Sequence, residues 1–305
     1  MTDYALAVDL GGTKVEAALV DGAGALVPGS RARRATGRSS SSTDLEAAVI
    51  GAVTAARASM PPDGRVIAAG VGSAGPVDLA GGRVSPINLP AWRGYPLAHL
   101  VAIGAGVDTD AVVLRLDGQC IVLAEQRLGA LRGARTAMGM VVSTGIGGGL
   151  VIDGGFAPGA SGNAGHIGQT LLGDPETGAL ATLEEIASGP AIVAWANGRG
   201  WAGRDGEELA AAYRARHPIA VAAVERCGTA IGRAVLSAAA LVDLEVVAIG
   251  GGFAKVTPDL FGIIDRTIRD ESPLASIDVV VRPAALGDDA PLLGAASLVS
   301  ELQPA

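Results

Sequence analysis

Short apolar runs recur along this chain, separated by glycine-rich turns and by longer stretches with helical spacing. Tyr4-Ala5-Leu6-Ala7-Val8 and Val15-Glu16-Ala17-Ala18-Leu19-Val20 flank the turn Asp9-Leu10-Gly11-Gly12-Thr13-Lys14, and Asp21-Gly22 supplies the next turn. Runs of this length bounded by turn residues predict strands, so the pair predicts a β-hairpin. A second hairpin is predicted at 139–142 and 149–152, around Ser143-Thr144-Gly145-Ile146-Gly147-Gly148. Both follow the order strand, Gly/Thr turn, strand, Asp-Gly. That shared order suggests two similar α/β domains, although two unrelated strand-turn-strand units would read the same. Further strands are predicted at 65–70, 111–115, 245–249 and 277–281. Helices are predicted at 44–59 (capped by Ser42 or Thr43), 118–131, 218–242, 258–269 and 291–301. Strands alternating with helices predict an α/β architecture, and a 305-residue chain suits two domains.

Composition narrows the core and the partners. With 49% hydrophobic and only 3% aromatic residues, the interior must be small and aliphatic. A net charge of −8 argues against a broad nucleic-acid footprint. The first apolar run has no basic region before it and is interrupted at Asp9, unlike a signal peptide. The longest apolar stretch, near Val235 to Ile249, carries Asp243 and Glu245 and does not suit a bilayer. The only cysteines, Cys120 and Cys227, form neither a disulfide framework nor a zinc spacing. The expectation is a soluble cytoplasmic protein that acts on a small molecule, with no nucleic acid and no membrane.

The first hairpin turn lacks the spacing of a P-loop. Its chemistry nevertheless suits phosphate. Glycines let backbone approach a ligand closely, and successive N–H groups in such turns make anion-binding concavities. Thr13 and Thr144 can donate hydroxyl protons to phosphate oxygens. Asp9, at a strand end beside the turn, suits Mg²⁺ held through water. Two such turns together would clamp a nucleotide triphosphate. Lys14 and Lys255 are the only lysines in a chain that otherwise uses arginine.

The segments DLGGTK, GPVDLAGGRVSPINLPAW, LDGQCIVLAE, STGIGGGLVIDGG, GNAGHIG and LEEIASGPAI occur in the order and spacing of the ROK family of sugar kinases and sugar-responsive repressors. The resemblance covers nearly the whole chain. It implies a two-domain actin-like ATPase fold (ribonuclease H-like) with an interdomain cleft. The small domain would be residues 1–115 completed by a helix at 291–305, and the large one 116–290. The resemblance also implies Mg-ATP, a sugar or cyclitol substrate and a homodimer. By the matching motifs, Asp9, Gly11, Gly12, Thr13 and Lys14 would form the first phosphate loop, and Thr144, Gly145, Gly147 and Gly148 the second. Gly251 and Gly252 would contact adenosine, and Asp117 would be the catalytic base. Gly75, Asn88, Leu116, Asp117, His166, Gln169 and Glu184 would fall on the acceptor side. The repressor branch carries a helix-turn-helix, which is not expected here because a strand is predicted from Tyr4. A non-catalytic sugar-binding protein without a DNA-binding part is the alternative.

Departures from the family concentrate on the acceptor side. Leu116 stands where the family has an asparagine that grips a sugar hydroxyl, which would make it an apolar wall. His166 replaces a glutamate, and Gln169 replaces a zinc- and sugar-binding histidine. The cysteine run of the family aligns with Pro175-Glu176-Thr177, Ala179 and Thr182, which contain no cysteine. Zinc sites need thiolate or imidazole ligands, so no structural zinc is expected. A neutral imidazole offers one donor and one acceptor where a carboxylate offers only acceptors. Glucose is therefore expected to be a poor substrate, unless Asn88 or Gln119 takes over the grip.

Overall fold

The structure, a computed structural model, describes residues 1–273 and 277–299. In chain order it forms β1 (Thr2–Leu10), β2 (Lys14–Val20), β3 (Ala32–Ala35), α1 (Ser42–Ala58), β4 (Gly64–Ser73), β5 (Val77–Asp78), β6 (Arg83–Val84), α2 (Leu97–Ala105), β7 (Val112–Leu116) and α3 (Asp117–Leu128). There follow β8 (Ala137–Val142), β9 (Ile146–Ile152), β10 (Gly155–Phe156), β11 (Leu171–Gly173), β12 (Leu180–Thr182), α4 (Leu183–Ala187), α5 (Gly189–Asn197), α6 (Gly206–Arg214) and α7 (Pro218–Val242). The described chain ends with β13 (Val246–Gly250), α8 (Asp259–Glu271), β14 (Val280–Pro283) and α9 (Ala290–Leu298). The chain divides into two units. One comprises 1–124, 158–164 and Asp288 onward; the other comprises 125–157 and 165–287.

In the first unit a five-stranded sheet runs β3-β2-β1-β4-β7. Its two faces have different chemistry because strand side chains alternate. Leu6, Val8 and Leu10 of β1, Val15, Ala17 and Leu19 of β2, and Ala69 and Val71 of β4 join one aliphatic cluster with α1 and α2. The alternate positions are small or acidic: Ala5, Ala7 and Asp9, then Glu16 and Ala18, then Gly70 and Gly72. Small residues there let helices approach the backbone closely. A Cβ at Gly70 would lie 1.8 Å from the Ala295 carbonyl oxygen of α9, and one at Gly72 would lie 3.0 Å from Cys120 Sγ of α3. A Cβ at Gly294 would in turn meet the Cys120 carbonyl at 1.8 Å. We expect Gly70→Ala to cost about 1–3 kcal/mol through overpacking. Urea unfolding checks this, and an unchanged midpoint would mean that α9 is not seated on β4.

The same contacts explain why the division falls after Ala124 rather than at 115/116. The first turns of α3 are locked to β4 and α9, so they stay with the sheet they follow. Of the helix expected at 291–301 and its extension to 305, residues 300–305 lie outside the described residues. The α1 cap is Ser41, not Ser42 or Thr43. Its hydroxyl accepts from the Asp44 N–H at 3.1 Å and the Asp44 carboxylate accepts from the Ser41 N–H at 3.1 Å, a reciprocal capping box.

The second unit has a sheet in the order β10-β9-β8-β13-β14. In each unit the central strand pairs antiparallel with the next strand of a hairpin and parallel with a later strand, which then pairs parallel with the last. The two sheets thus have one topology, as duplicated domains would. Helix α7 is the long core helix of this unit, and α4, α5, α6 and α8 complete its cluster. Strand β14 begins at Val280, later than expected.

Candidate functional site

In the first unit, β1 delivers Asp9 on the small-residue face and β2 delivers Glu16 directly beside it. Asp9 is 7% exposed and Glu16 2%. Burial first, and then the nearby charge of Asp117, push the Asp9 carboxyl up to about 7. Burial would also raise Glu16. Hydrogen bonds from Lys14, Arg31 and Arg33 outweigh that and hold it at about 2. The Lys14 ammonium lies 2.5 Å from Glu16 Oε2. In this arrangement its charge serves the buried Glu16 carboxylate. Arg31 joins the group and reaches Asp289 and the Asp288 carbonyl as well.

The Gly11-to-Lys14 turn is closed by the Gly11 N–H donating to the Lys14 carbonyl at 2.9 Å. Thr36 steadies it by donating its hydroxyl to the Gly11 carbonyl at 3.0 Å. A Cβ at Gly12 would touch Asn88 Cβ at 3.1 Å, so Asn88 lies against the turn, with Thr13 exposed beside it. Gly75 belongs to the same loop system, accepting from the Ile87 N–H at 3.2 Å. Asp117 opens α3 directly after β7, and its Oδ1 accepts from the Gly118 N–H at 2.7 Å. Asp9 and Asp117 lie close enough to repel. A divalent cation fits this place, because it would let both carboxylates ionise. Among the described residues no group of three or more His, Cys, Asp or Glu is arranged to hold a metal ion. Mg²⁺ serving phosphates needs only one or two carboxylates and water.

Two acceptor-side expectations are corrected here. Leu116 is 2% exposed and belongs to the aliphatic cluster under α1 and α2, so it is a core residue and not the wall of a binding site. Gln119 is fully buried. Its Nε2 donates to the carbonyls of Gly162 at 3.2 Å and Ala164 at 3.1 Å, and its Oε1 accepts from the Leu116 N–H at 3.4 Å. Asn163 adds a second fastening, with Oδ1 and Nδ2 bonded to the N–H and carbonyl of Val77. These amides hold segment 158–164 in the first unit and leave Gln119 no amide group to spare for an acceptor.

In the second unit, the Ser143-Thr144-Gly145 turn joins β8 to β9. The Ser143 N–H donates to the Gly145 carbonyl at 2.9 Å, and Gly189 at the start of α5 donates to the Ser143 carbonyl at 2.9 Å. Glu184 Oε2 accepts from the Ile146 N–H at 2.7 Å, and a Cβ at Gly145 would lie 2.6 Å from that oxygen. Glu184 thus fastens the turn. Thr144 is exposed at its tip. Gly147 and Gly148 are not turn residues. They pair with Val141 and Met140 within the sheet, and a Cβ at Gly148 would meet the Gly139 carbonyl at 2.8 Å. The reason is the segment packed over β9: a Cβ at Gly165 would lie 2.6 Å from Gly149 Cα, and one at Gly168 would lie 2.0 Å from the Ile146 carbonyl. The glycine run is therefore partly a packing device.

His166 is half-buried in that segment and Gln169 is exposed. Burial lowers the His166 imidazole below its ordinary value, against an opposing pull from Glu184. His166 and Glu184 are thus near neighbours. Gly251 follows β13 with φ +96°, and a Cβ there would meet the Val142 carbonyl at 2.4 Å, so glycine is required at this turn. Gly252 and Thr144 both line an open cavity of about 1060 Å³. Its remaining walls come from α5 (Pro190, Val193, Asn197), α6 (Glu207, Ala210, Arg214) and the Phe253–Val256 segment. Sequence reasoning missed these wall residues, which carry no motif. It also missed Glu125, whose buried carboxylate accepts from the N–H groups of Ala130, Ala285 and Leu286.

Among the described residues no helix is long and apolar enough to cross a membrane. Comparison with known proteins places the chain. It is 33% identical over 300 residues to the bifunctional enzyme NanE/NanK of Brucella suis, covering 97% of this chain and 53% of that protein. The chain therefore spans about half the length of that relative. It is 31% identical to the kanosamine kinase of Amycolatopsis mediterranei, covering 97% and 96% of the two chains. A ROK glucokinase from Streptomyces griseus, solved with glucose and AMPPNP, superposes with a TM-score of 0.82 at 27% identity, covering 98% of this chain and 99% of that one. The architecture is the α/β fold of these actin-like ATPases. With the ROK family model matching residues 5–302, the chain belongs to the ROK family.

Proposed function

We propose that this protein is a Mg-ATP-dependent kinase that phosphorylates a hydroxyl of a sugar or sugar-like polyol. The observation that carries the reading is the buried Asp9 carboxylate beside Asp117. In this reading one acid would hold a cation and the other would take a proton. Relatives named as kanosamine kinase, glucokinase and N-acetylmannosamine kinase support the same class. Asp9 would hold Mg²⁺ through water, which neutralises charge on the transferring phosphoryl group. Thr13 in the first unit, and Thr144 in the second, would each offer a hydroxyl and the backbone N–H groups of its turn to phosphate oxygens, and Gly251 and Gly252 would border the adenosine in the second unit's cavity. Asp117 would accept the proton of the attacking hydroxyl as its oxygen bonds to phosphorus.

The acceptor side departs from the glucose pattern. His166 is held toward the neutral form, so it offers a single acceptor where a carboxylate accepts from two hydroxyls. Asn88 in the first unit and Gln169 in the second are each exposed, and each side-chain amide suits a sugar hydroxyl. We read the preferred acceptor as a modified hexose, such as an amino sugar, or a cyclitol. The family's zinc site is read as lost, since segment 170–182 contains neither cysteine nor histidine. ADP release with Mg-ATP across hexoses, amino sugars and cyclitols tests this. An amino sugar or cyclitol should give the highest kcat/KM. Glucose at the top would overturn the altered acceptor site. Sugar binding without ADP release would favour a non-catalytic regulator.

A further inference from the structure

Hairpin β11–β12 and its turn from Asp174 to Ala179 occupy the segment where the family resemblance puts a zinc loop. Here the turn is fastened by charge. Asp174 Oδ1 accepts from the N–H groups of Glu176 at 2.9 Å and Thr177 at 3.0 Å. The same carboxylate is ion-paired to Arg226 of α7, and the two side chains are 13% and 10% exposed. Arg226 also donates to the Ile186 carbonyl of α4 at 2.6 Å. On the far side of the turn, Glu176 accepts from Trp195 Nε1 at 3.1 Å and is paired to Arg199. The guanidinium of Arg199 lies 3.8 Å over the Trp195 ring and that of Arg226 lies 5.7 Å from it. Two arginines therefore lie against one indole, and each is paired to an acid of the turn.

Arg226 ties together two things that must stay in register. One is the turn, through Asp174. The other is α4, which follows β12 without a break and is hung on the hairpin by the Leu183 N–H donating to the Thr170 carbonyl at 2.9 Å. Helix α4 carries Glu184, the residue that holds the Ile146 N–H beside Thr144. A guanidinium suits this double duty because its planar fork addresses two acceptors at once, which an ammonium on a flexible stem does poorly.

We propose that Arg226 is a positioning residue for the Thr144 turn, setting α4 through Asp174 and Ile186 so that Glu184 holds that turn in place without a metal. The proposal rests on the reading of the Thr144 turn as a nucleotide-phosphate site. A metal would bind the loop through several ligands at once. This clamp does so with one arginine, and it couples the loop to the site through a chain of hydrogen bonds.

The test compares Arg226→Met, Arg226→Lys and Asp174→Asn with Arg233→Met, which breaks an ion pair from another α7 arginine to Glu271 of α8. Amide hydrogen exchange and ADP titration are measured on the full chain. Arg226→Met should lose protection at 171–187 and also at Ile146, and should weaken ADP about tenfold. Arg226→Lys should fall between Met and wild type, and Arg233→Met should match wild type in both measurements. Should Arg226→Met fail to fold, Asp174→Asn decides: it removes the ion pair that sets Arg226 and keeps the Ile186 bond, so it should lose protection at Ile146 as well, by less than removal of both links, and unchanged protection there would overturn the proposal. Loss of protection confined to 171–182, with ADP binding unchanged, would overturn the proposal and leave Arg226 a hairpin staple. One zinc per chain in chelator-washed protein, with removal exposing the same amides, would overturn it too. Wild-type protein that binds no ADP would sink the phosphate-site reading instead. The exchange at Ile146 alone then decides whether Arg226 positions the turn.

Discussion

Asp117→Asn is expected to lower kcat by about two to four orders of magnitude, the contribution of a positioned general base. ADP affinity and thermal stability should stay near wild type. Asp117 opens α3, so the competing role is a helix cap. The substitution separates the two roles because asparagine caps as well as aspartate. The Gly118 N–H that now donates to Oδ1 can donate equally to an amide oxygen. What the amide cannot do is take a proton from the acceptor hydroxyl. Removing the charge also relieves the repulsion on Asp9, so the variant gives up no favourable interaction with that neighbour. A role confined to transition-state proton transfer lowers kcat and kcat/KM together, with the nucleotide constant unmoved. Near wild-type turnover would remove Asp117 from the chemistry. A large loss of stability would show that its carboxylate is structural.

The parts of this protein with a repeating physical signal were legible in its sequence. The paired hairpins, helix α7 and the alternation of strand with helix follow from hydrophobic period and turn chemistry, and the duplicated sheet order fits the shared Gly/Thr turns. At Asp9, Thr144 and Gly251 a marked residue type coincides with a strand end or turn, which is the kind of signal a sequence carries. That signal misleads where one letter admits two uses. Leu116 aligns with a polar position of the family, and that alignment alone suggests a ligand-facing wall. A β-strand residue faces one side of a sheet or the other, and β7 turns Leu116 into the cluster under α1 and α2. Gly147 and Gly148 suggest turn residues because glycine permits turns. Glycine equally permits close packing, and the Gly165-to-Gly168 segment over β9 uses that property. Lys14 falls in the phosphate motif, and no sequence signal shows that its ammonium also pairs with Glu16 on the same strand face. None of the long-range partners Arg31–Asp289, Asp174–Arg226 or Glu125 with residues 285–286 has a sequence signal, because each joins residues far apart in the chain.

Gln119→Leu is expected to cost about 2–5 kcal/mol of folding stability, with little change in acceptor KM. Leucine keeps the volume of the side chain and removes every hydrogen bond it makes. The carbonyls of Gly162 and Ala164 lose their shared donor, and the Leu116 N–H loses an acceptor. Each buried polar group left unpaired costs about 1–3 kcal/mol, and a fully buried amide gives water little chance to take its place. Asn163 still holds the segment to Val77, so the loss should loosen residues 158–164 rather than release them. Gln119→Glu is a sharper variant. It keeps the acceptor but replaces the double donor with an oxygen facing two carbonyls, and it should destabilise at least as much as leucine. Urea unfolding of both variants, read beside the acceptor KM, decides between a fastening and a grip on the acceptor. A grip predicts wild-type unfolding and an acceptor KM raised tenfold or more. That pair of results would mean the Gln119 amide leaves Gly162 and Ala164 when the acceptor binds.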